Sequence, residues 1–294
     1  YNSSFYERVQ RRVTLEQELR QALAHDEFQL AFQPTMSLRD GSVACIEALL
    51  RWTTRAGVQR SPVEFIPVAE ECGEILPIGR WVLGEACRQA RRWHEAGLQF
   101  GRIAVNVSAV QLRDPQFADD VLAICARHHW PTDRLTLELT ESALMRDTDV
   151  LRRAFDLFSA NGICLAVDDF GTGFSNLHYL NRFPVGRLKI DRSFVQGMLE
   201  DAGTAEVTQA IVHLGHALGM KVVAEGVETE SQHRFLTEQR FPVLQGYLFS
   251  PPLPADELEQ WLQARLLQRT TRSVTLTDSG EHALRRCQQM LALS

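Results

Sequence analysis

The sequence predicts an α/β fold, a (β/α)8 barrel, and three observations predict it. Short apolar runs alternate with longer amphipathic stretches along most of the chain. Eight such runs fall within roughly 240 residues, near the ~250 that a barrel of this kind takes. Gly97, Gly162 and Gly219 each close a helix-length stretch, where a C-terminal cap is expected. A doubly wound open sheet has less support, because no GxGxxG follows the first run.

Taken in order, the first 25 residues are polar and helix-like, with Val13, Leu15, Leu19 and Leu23 at helical spacing. Thr14 is placed to cap that helix, with Glu16 and Glu18 in its first turn. This reads as a lead-in from an upstream domain, and a chain opening on Tyr1 rather than Met reads as a piece of a longer protein. The apolar runs then cover 28–32, 43–50, 103–107, 135–139, 163–167, 187–190, 221–224 and 241–244. Helix-length segments cover 79–97, 117–129, 150–162, 205–219 and 229–240. Past about residue 266 the pattern breaks. Residues 268–278 are polar and rich in Thr and Ser, and 279–293 read as a terminal helix. The expected organisation is therefore a linker over 1–13, a barrel over 14–265 and a C-terminal helical extension over 266–294.

Composition narrows the function. Lys and Arg number 31 against 37 Asp and Glu, a formal net charge of −6 with no basic tract, which argues against binding duplex DNA, duplex RNA or an anionic membrane. No run approaches the roughly 18 apolar residues of a membrane span. Cys45, Cys72, Cys87, Cys125, Cys164 and Cys287 form no CxxC pair, so neither a zinc site nor a disulfide framework is expected. A reducing, cytoplasmic compartment follows, although a parent protein could still be membrane-anchored.

In a barrel, chemistry sits at the C-terminal ends of the strands. Here each run ends on, or carries near its end, a residue that chemistry uses. In order these are Gln33, Glu47, Asn106, Glu138 with Glu141, Asp168 with Asp169, Lys189 with Asp191, Glu225 with Glu228, and Gln245. One carboxylate at a strand end is usually a helix cap or a solvated loop residue. Eight consecutive strand ends of this kind are hard to obtain by chance. Glu47, Glu138, Asp168, Asp169 and Glu225 would converge on one mouth, where Lys189 alone cannot neutralise them. Divalent cations can, and an all-oxygen donor set favours Mg²⁺ or Mn²⁺ over zinc. Adjacent Asp168 and Asp169 could serve two ions, the arrangement used for in-line phosphodiester cleavage.

These residues resemble the EAL family of cyclic di-GMP phosphodiesterases. The tripeptide that names the family is Glu47-Ala48-Leu49. Further matches are Gln33-Pro34, NVS at 106–108, ELTES at 138–142, DDFGTG at 168–173, LKID at 188–191, AEGVE at 224–228 and QGY at 245–247. The resemblance spans roughly 14–265 and implies a (β/α)8 TIM-type barrel with one antiparallel strand. It implies hydrolysis of cyclic di-GMP to linear pGpG with two Mg²⁺ or Mn²⁺ ions per site. It implies Glu47, Asn106, Glu138, Asp168, Asp169 and Glu225 as metal ligands, with Asp168 bridging the ions. Lys189 would orient and activate the attacking water and, with Glu47 and Glu225, form the catalytic set. Gln33, Leu50, Arg51, Asn106, Asp191, Gln245 and Pro252 would contact the substrate. Glu141 would anchor the loop 169–177, and Glu228, like Asp191, would orient ligands. That loop couples metal binding to dimerisation in the family, so a homodimer is implied.

The departures are few. Gly186 stands where the family usually has Asp, Phe174 and Asn176 replace Tyr and Ser, and Pro251 replaces a basic residue. No implied metal ligand is lost. Arg12 and residues 15–20 resemble the joint between a GGDEF domain and an EAL domain, with a plain amphipathic helix as the alternative. Two other functions are weighed against the enzyme: a catalytically silent cyclic di-GMP receptor, and a regulatory dimerisation module. The first would be expected to have lost ligands that all stand here, and the second would not need eight polar strand ends.

Overall fold

A computed structural model of the chain describes residues 3–144, 148–171, 180 and 182–268. The loop residues 172–177, with Phe174 and Asn176, and the extension from residue 269 onward lie outside the described residues. A helix α1 (Ser3–Ala22) leads into β1 (Phe28–Ser37), β2 (Val43–Thr53) and a short β3 (Gln59–Arg60). Helices α2 (Pro62–Cys72) and α3 (Ile75–Glu95) precede β4 (Arg102–Val107), α4 (Ala109–Leu112) and α5 (Phe117–Arg127). Next come β5 (Leu135–Thr140), α6 (Glu141–Leu144), α7 (Asp149–Ala160), β6 (Cys164–Phe170) and β7 (Val185–Ile190). The chain continues through α8 (Arg192–Gly197), α9 (Ala202–Ala217), β8 (Lys221–Ala224), α10 (Glu230–Glu238), β9 (Val243–Gln245), β10 (Leu253–Pro254) and α11 (Ala255–Gln268).

Strands pair in the order β1-β9-β8-β7-β6-β5-β4-β2, and β2 returns to β1, which closes an eight-stranded barrel. That closure excludes the open sheet. From β2 through β4 to β9 every pairing is parallel, whereas β1 is antiparallel to both β2 and β9. The two short strands add to the rim, β3 on β2 and β10 on β1. The outward faces of the strands pack under the helices. Ile46, Ile103, Leu135, Leu188 and Val222 are fully buried there, beneath Ala86, Trp93, Val121 and Phe158. Helix ends follow the glycine pattern: Gly97, Gly162 and Gly219 stand one residue past their C-caps at φ of 81°, 72° and 71°.

Two local expectations are corrected. Thr14 does not start a helix, because α1 begins at Ser3 and runs through it. Leu15, Leu19 and Ala22 are buried against the barrel, while Arg11, Arg12 and Glu18 pair with Glu64, Glu71 and Arg60 beside α2. Packing of that face, rather than a cap, decides where the helix lies. Gln33 does not end a strand either. The apolar run over 28–32 is expected to end at Gln33, yet β1 runs on to Ser37 with Pro34 opposite Ile46. Among the described residues no helix is long and apolar enough to cross a membrane. The five cysteines described are free.

Candidate active site

The strands fix the site by register. Gln33 on β1 faces Glu47 on β2, Asn106 on β4 pairs with Glu138 on β5, and Thr140 at the end of β5 pairs with Asp168 on β6. Side chains alternate along a strand, so residues two apart share a face, and these polar groups point into one mouth. Glu225 follows β8 directly, and its N–H donates to the Ile190 carbonyl at 3.2 Å. Because β1 runs opposite to its neighbours, Gln33 reaches the mouth from mid-strand.

Lys189 stands at the centre, 2% exposed. Its Nζ lies 2.7 Å from Glu138 Oε2, 2.7 Å from Glu225 Oε1, 3.2 Å from Asp168 Oδ1 and 3.3 Å from Glu47 Oε2. Burial alone would depress the ammonium, but Asp168, Glu138, Glu225 and Glu47 hold it well above the ordinary lysine range. The carboxylates differ from one another. Glu47 accepts hydrogen bonds from Gln245 Nε2 at 2.7 Å and Asn106 Nδ2 at 2.8 Å, besides Lys189. Burial pushes it up, yet Lys189 and those donors bring it below the usual carboxylate range. Among the described residues Glu138 accepts from Lys189, and burial and the neighbouring Glu47 push it well up. Burial likewise takes Glu225 up to about 8, despite Lys189. Asp169, at φ 53° with its N–H donating to Asp168 Oδ1, is raised by burial and by the Asp168 charge. One ammonium cannot keep five converging carboxylates ionised.

That frustration is what a cation would relieve, and the donor atoms are placed for it. Oxygens of Glu47, Glu138 and Asp168 lie within 4.8 Å of one another, as do those of Asp168, Asp169 and Glu225. Asp168 belongs to both groups. All donors are hard oxygens, the set that suits Mg²⁺ or Mn²⁺.

The remaining expected residues surround this cage. Gln245 Nε2 also donates to Gln33 Oε1 at 3.1 Å, and Gln33 Nε2 donates to the Ser250 carbonyl at 3.0 Å. Among the described residues Gln245 Oε1 is buried without a hydrogen-bond partner. Gly246 lets the chain turn here: a Cβ would meet the Val227 carbonyl oxygen at 2.1 Å. Arg51 is half-buried at the rim, where burial lowers its pKa and the Glu47 carboxylate opposes that, and its guanidinium donates to the Leu50 carbonyl at 2.9 Å. Pro252 lies part-exposed just before β10. Asp191 caps α8 through the Ser193 N–H and faces Asp169. Glu141 opens α6 directly after β5. Glu228 is exposed, and its backbone N–H donates to Gln232 Oε1 at 2.8 Å. Sequence reasoning missed Ser250, whose carbonyl tethers Gln33, and Arg187, which lies buried under the cage. Nothing local marks Ser250. Arg187 was findable, since it precedes Lys189 by two residues on one strand.

Comparison with known proteins agrees with this architecture. Residues 16–252 match the EAL domain family. The bifunctional diguanylate cyclase/cyclic di-GMP phosphodiesterase MucR of Pseudomonas aeruginosa is 43% identical over 258 residues, which is 88% of this chain and 38% of that protein. The cyclic di-GMP phosphodiesterase NbdA of the same organism is 41% identical, over 87% of this chain and 33% of that one. The chain thus spans about a third of the length of the curated relatives it matches. Among solved structures, the MucR phosphodiesterase in complex with c-di-GMP matches at a TM-score of 0.79 and 44% identity, covering 83% of this chain and 99% of that one.

Proposed function

The chain belongs to the EAL domain family, a phosphodiesterase family, and on that premise we propose that it hydrolyses cyclic di-GMP to linear pGpG with two divalent cations. The observation that carries this reading is Asp168, common to two groups of carboxylates whose oxygens lie within 4.8 Å. Glu47, Asn106, Glu138, Asp168, Asp169 and Glu225 would hold Mg²⁺ or Mn²⁺. Bound there, such ions neutralise the carboxylates, polarise phosphoryl oxygens and lower the pKa of a water.

The chain's own groups do the rest. Lys189, with its Nζ among Glu138, Glu225, Asp168 and Glu47, would serve as a donor that orients the attacking water. Gln245 and Asn106 fix Glu47 by hydrogen bonds to its two oxygens. Gln33, tethered to Ser250, and Gln245, hydrogen-bonded to Gln33 and Glu47, would hold the substrate. Arg51 at the rim takes a phosphate, where a guanidinium can bond two oxygens. Leu50, Asp191 and Pro252 line the substrate around it, with Glu141 anchoring the following loop and Glu228 supporting it. Water attacks phosphorus, the P–O3′ bond breaks, O3′ leaves and takes a proton to become a 3′-hydroxyl, and the water's oxygen stays on the 5′-phosphate.

The same reading includes a homodimer, a cytoplasmic site of action and work beside a GGDEF domain. The description of MucR as bifunctional, and its greater length, support the last. The test is to mix the purified chain with cyclic di-GMP and Mg²⁺ or Mn²⁺ and follow pGpG by chromatography. Product should form, and Glu47→Ala or EDTA should abolish it. Binding without cleavage in either metal would establish a receptor instead.

A further inference from the structure

Beneath the cage lies a second buried cation that the reading above does not use. Arg187 precedes Lys189 by two positions on β7, so the two side chains share the barrel-facing side. Arg187 is 9% exposed, and its backbone pairs with Ala166, itself paired with Glu138 on the next strand. Among the described residues Arg187 forms no ion pair. Its side-chain partner is the Cys45 thiol, with Cys164 nearby. Cys45 is a free, buried cysteine, an uncharged partner. The opposite charge that Arg187 faces is Glu138. A buried guanidinium without a carboxylate at hydrogen-bond distance is costly unless a longer-range field offsets it. The acidic cage one layer above supplies that field.

The charge arrangement shows what this does. On the two-cation reading, on which this inference rests, Glu47, Glu138, Asp168, Asp169 and Glu225, with Asp191 beside them, face Lys189 plus two divalent ions. Arg187 adds one more positive charge to that assembly. Residues two apart on a strand are ~6.7 Å apart, close enough in a dry barrel core for a unit charge to be felt. A positive charge there opposes the binding of metal cations. It favours the negative charge that grows as water attacks a phosphodiester.

We propose that Arg187 is a positioning residue that acts through Glu138, holding metal affinity down while raising the rate of hydrolysis. Its effects on metal binding and turnover are opposite in sign, which no space-filling role would produce.

The experiment compares wild type, Arg187→Met, Arg187→Gln and Arg187→Lys, each stripped with EDTA and shown to be folded by circular dichroism. Mn²⁺ affinity is measured by calorimetry at one fixed pH, and kcat and KM for cyclic di-GMP at saturating Mn²⁺. Arg187→Met should bind Mn²⁺ tighter by on the order of tenfold and lose kcat by on the order of tenfold, with KM little changed. Arg187→Lys should restore both. Should the Met variant not fold, Arg187→Gln, which keeps a donor for Cys45, should show the same two signs. Weaker Mn²⁺ binding together with lower kcat, or no change in either, overturns the proposal. A wild type that fails to cleave cyclic di-GMP defeats the phosphodiesterase reading. The Mn²⁺ comparison needs no turnover and still decides on Arg187.

Discussion

At Lys189 one ammonium meets four carboxylates within 3.3 Å, and the consequences of removing it are calculable in sign. Lys189→Met strips the neutralising charge from buried acids, so the metal-free protein should lose about 3–5 kcal/mol in urea denaturation. Mn²⁺ should recover much of that loss, since the carboxylates keep their ligand atoms. Turnover should still fall at least ~100-fold, because the donor to the attacking water is gone. The acids also set a pH dependence. Glu225 rises to about 8 in the folded state, and burial raises Glu138 in the same direction. A raised folded pKa gives stability that is present below the unfolded carboxylate value and lost as pH climbs through the folded one. Glu47, held below the usual range, runs the other way but is a single group. The metal-free Tm should therefore fall between pH 6 and pH 8.5. The Tm gain on adding Mn²⁺ should be larger at pH 8.5, since binding releases protons that are already gone there. Equal gains at both pH values would contradict the assignment of raised acids.

Elements place these residues, and here the sequence was partly legible. The barrel reading, with chemistry at the strand ends, put Glu138 with Asp168 and Glu225, and the glycines past α3, α7 and α9 marked helix ends correctly. Thr14 and Gln33-Pro34 misled for one reason: a local signal was outweighed by tertiary packing. The buried stripe of α1 carries the helix straight through Thr14. The ladder with β2 carries β1 past Pro34. Helix α1 is thus part of the packed unit. Leu19, 1% exposed, should cost about 2–5 kcal/mol when cut to alanine, read as a shift in the urea midpoint with an unchanged slope. A cost under ~0.5 kcal/mol would mean that α1 is only loosely docked.

For the molecule as a whole, the cage is assembled from β2, β4, β5 and β6 and the turn after β8, so metal binding is linked to closure of the entire barrel. Unfolding should stay a single cooperative transition with and without metal. At Mn²⁺ a hundredfold above its dissociation constant, stability should rise by about 2.7 kcal/mol for each ion bound, and EDTA should remove that increment in full. Two separated transitions would show that the site is built by one half of the barrel alone.

The sequence by itself determined the residue types and their order: hard-oxygen groups at successive strands, apolar runs between helices, and thereby the barrel and its family. Those properties are local, and periodicity exposes them. Only the tertiary structure decided which groups meet. It set Lys189 against four carboxylates, drove Glu47 and Glu138 in opposite directions although both face the same lysine, left Glu228 at the surface and placed Arg187 beneath the cage. Such outcomes depend on distance and desolvation across strands far apart in the chain, and no spacing along one strand encodes them.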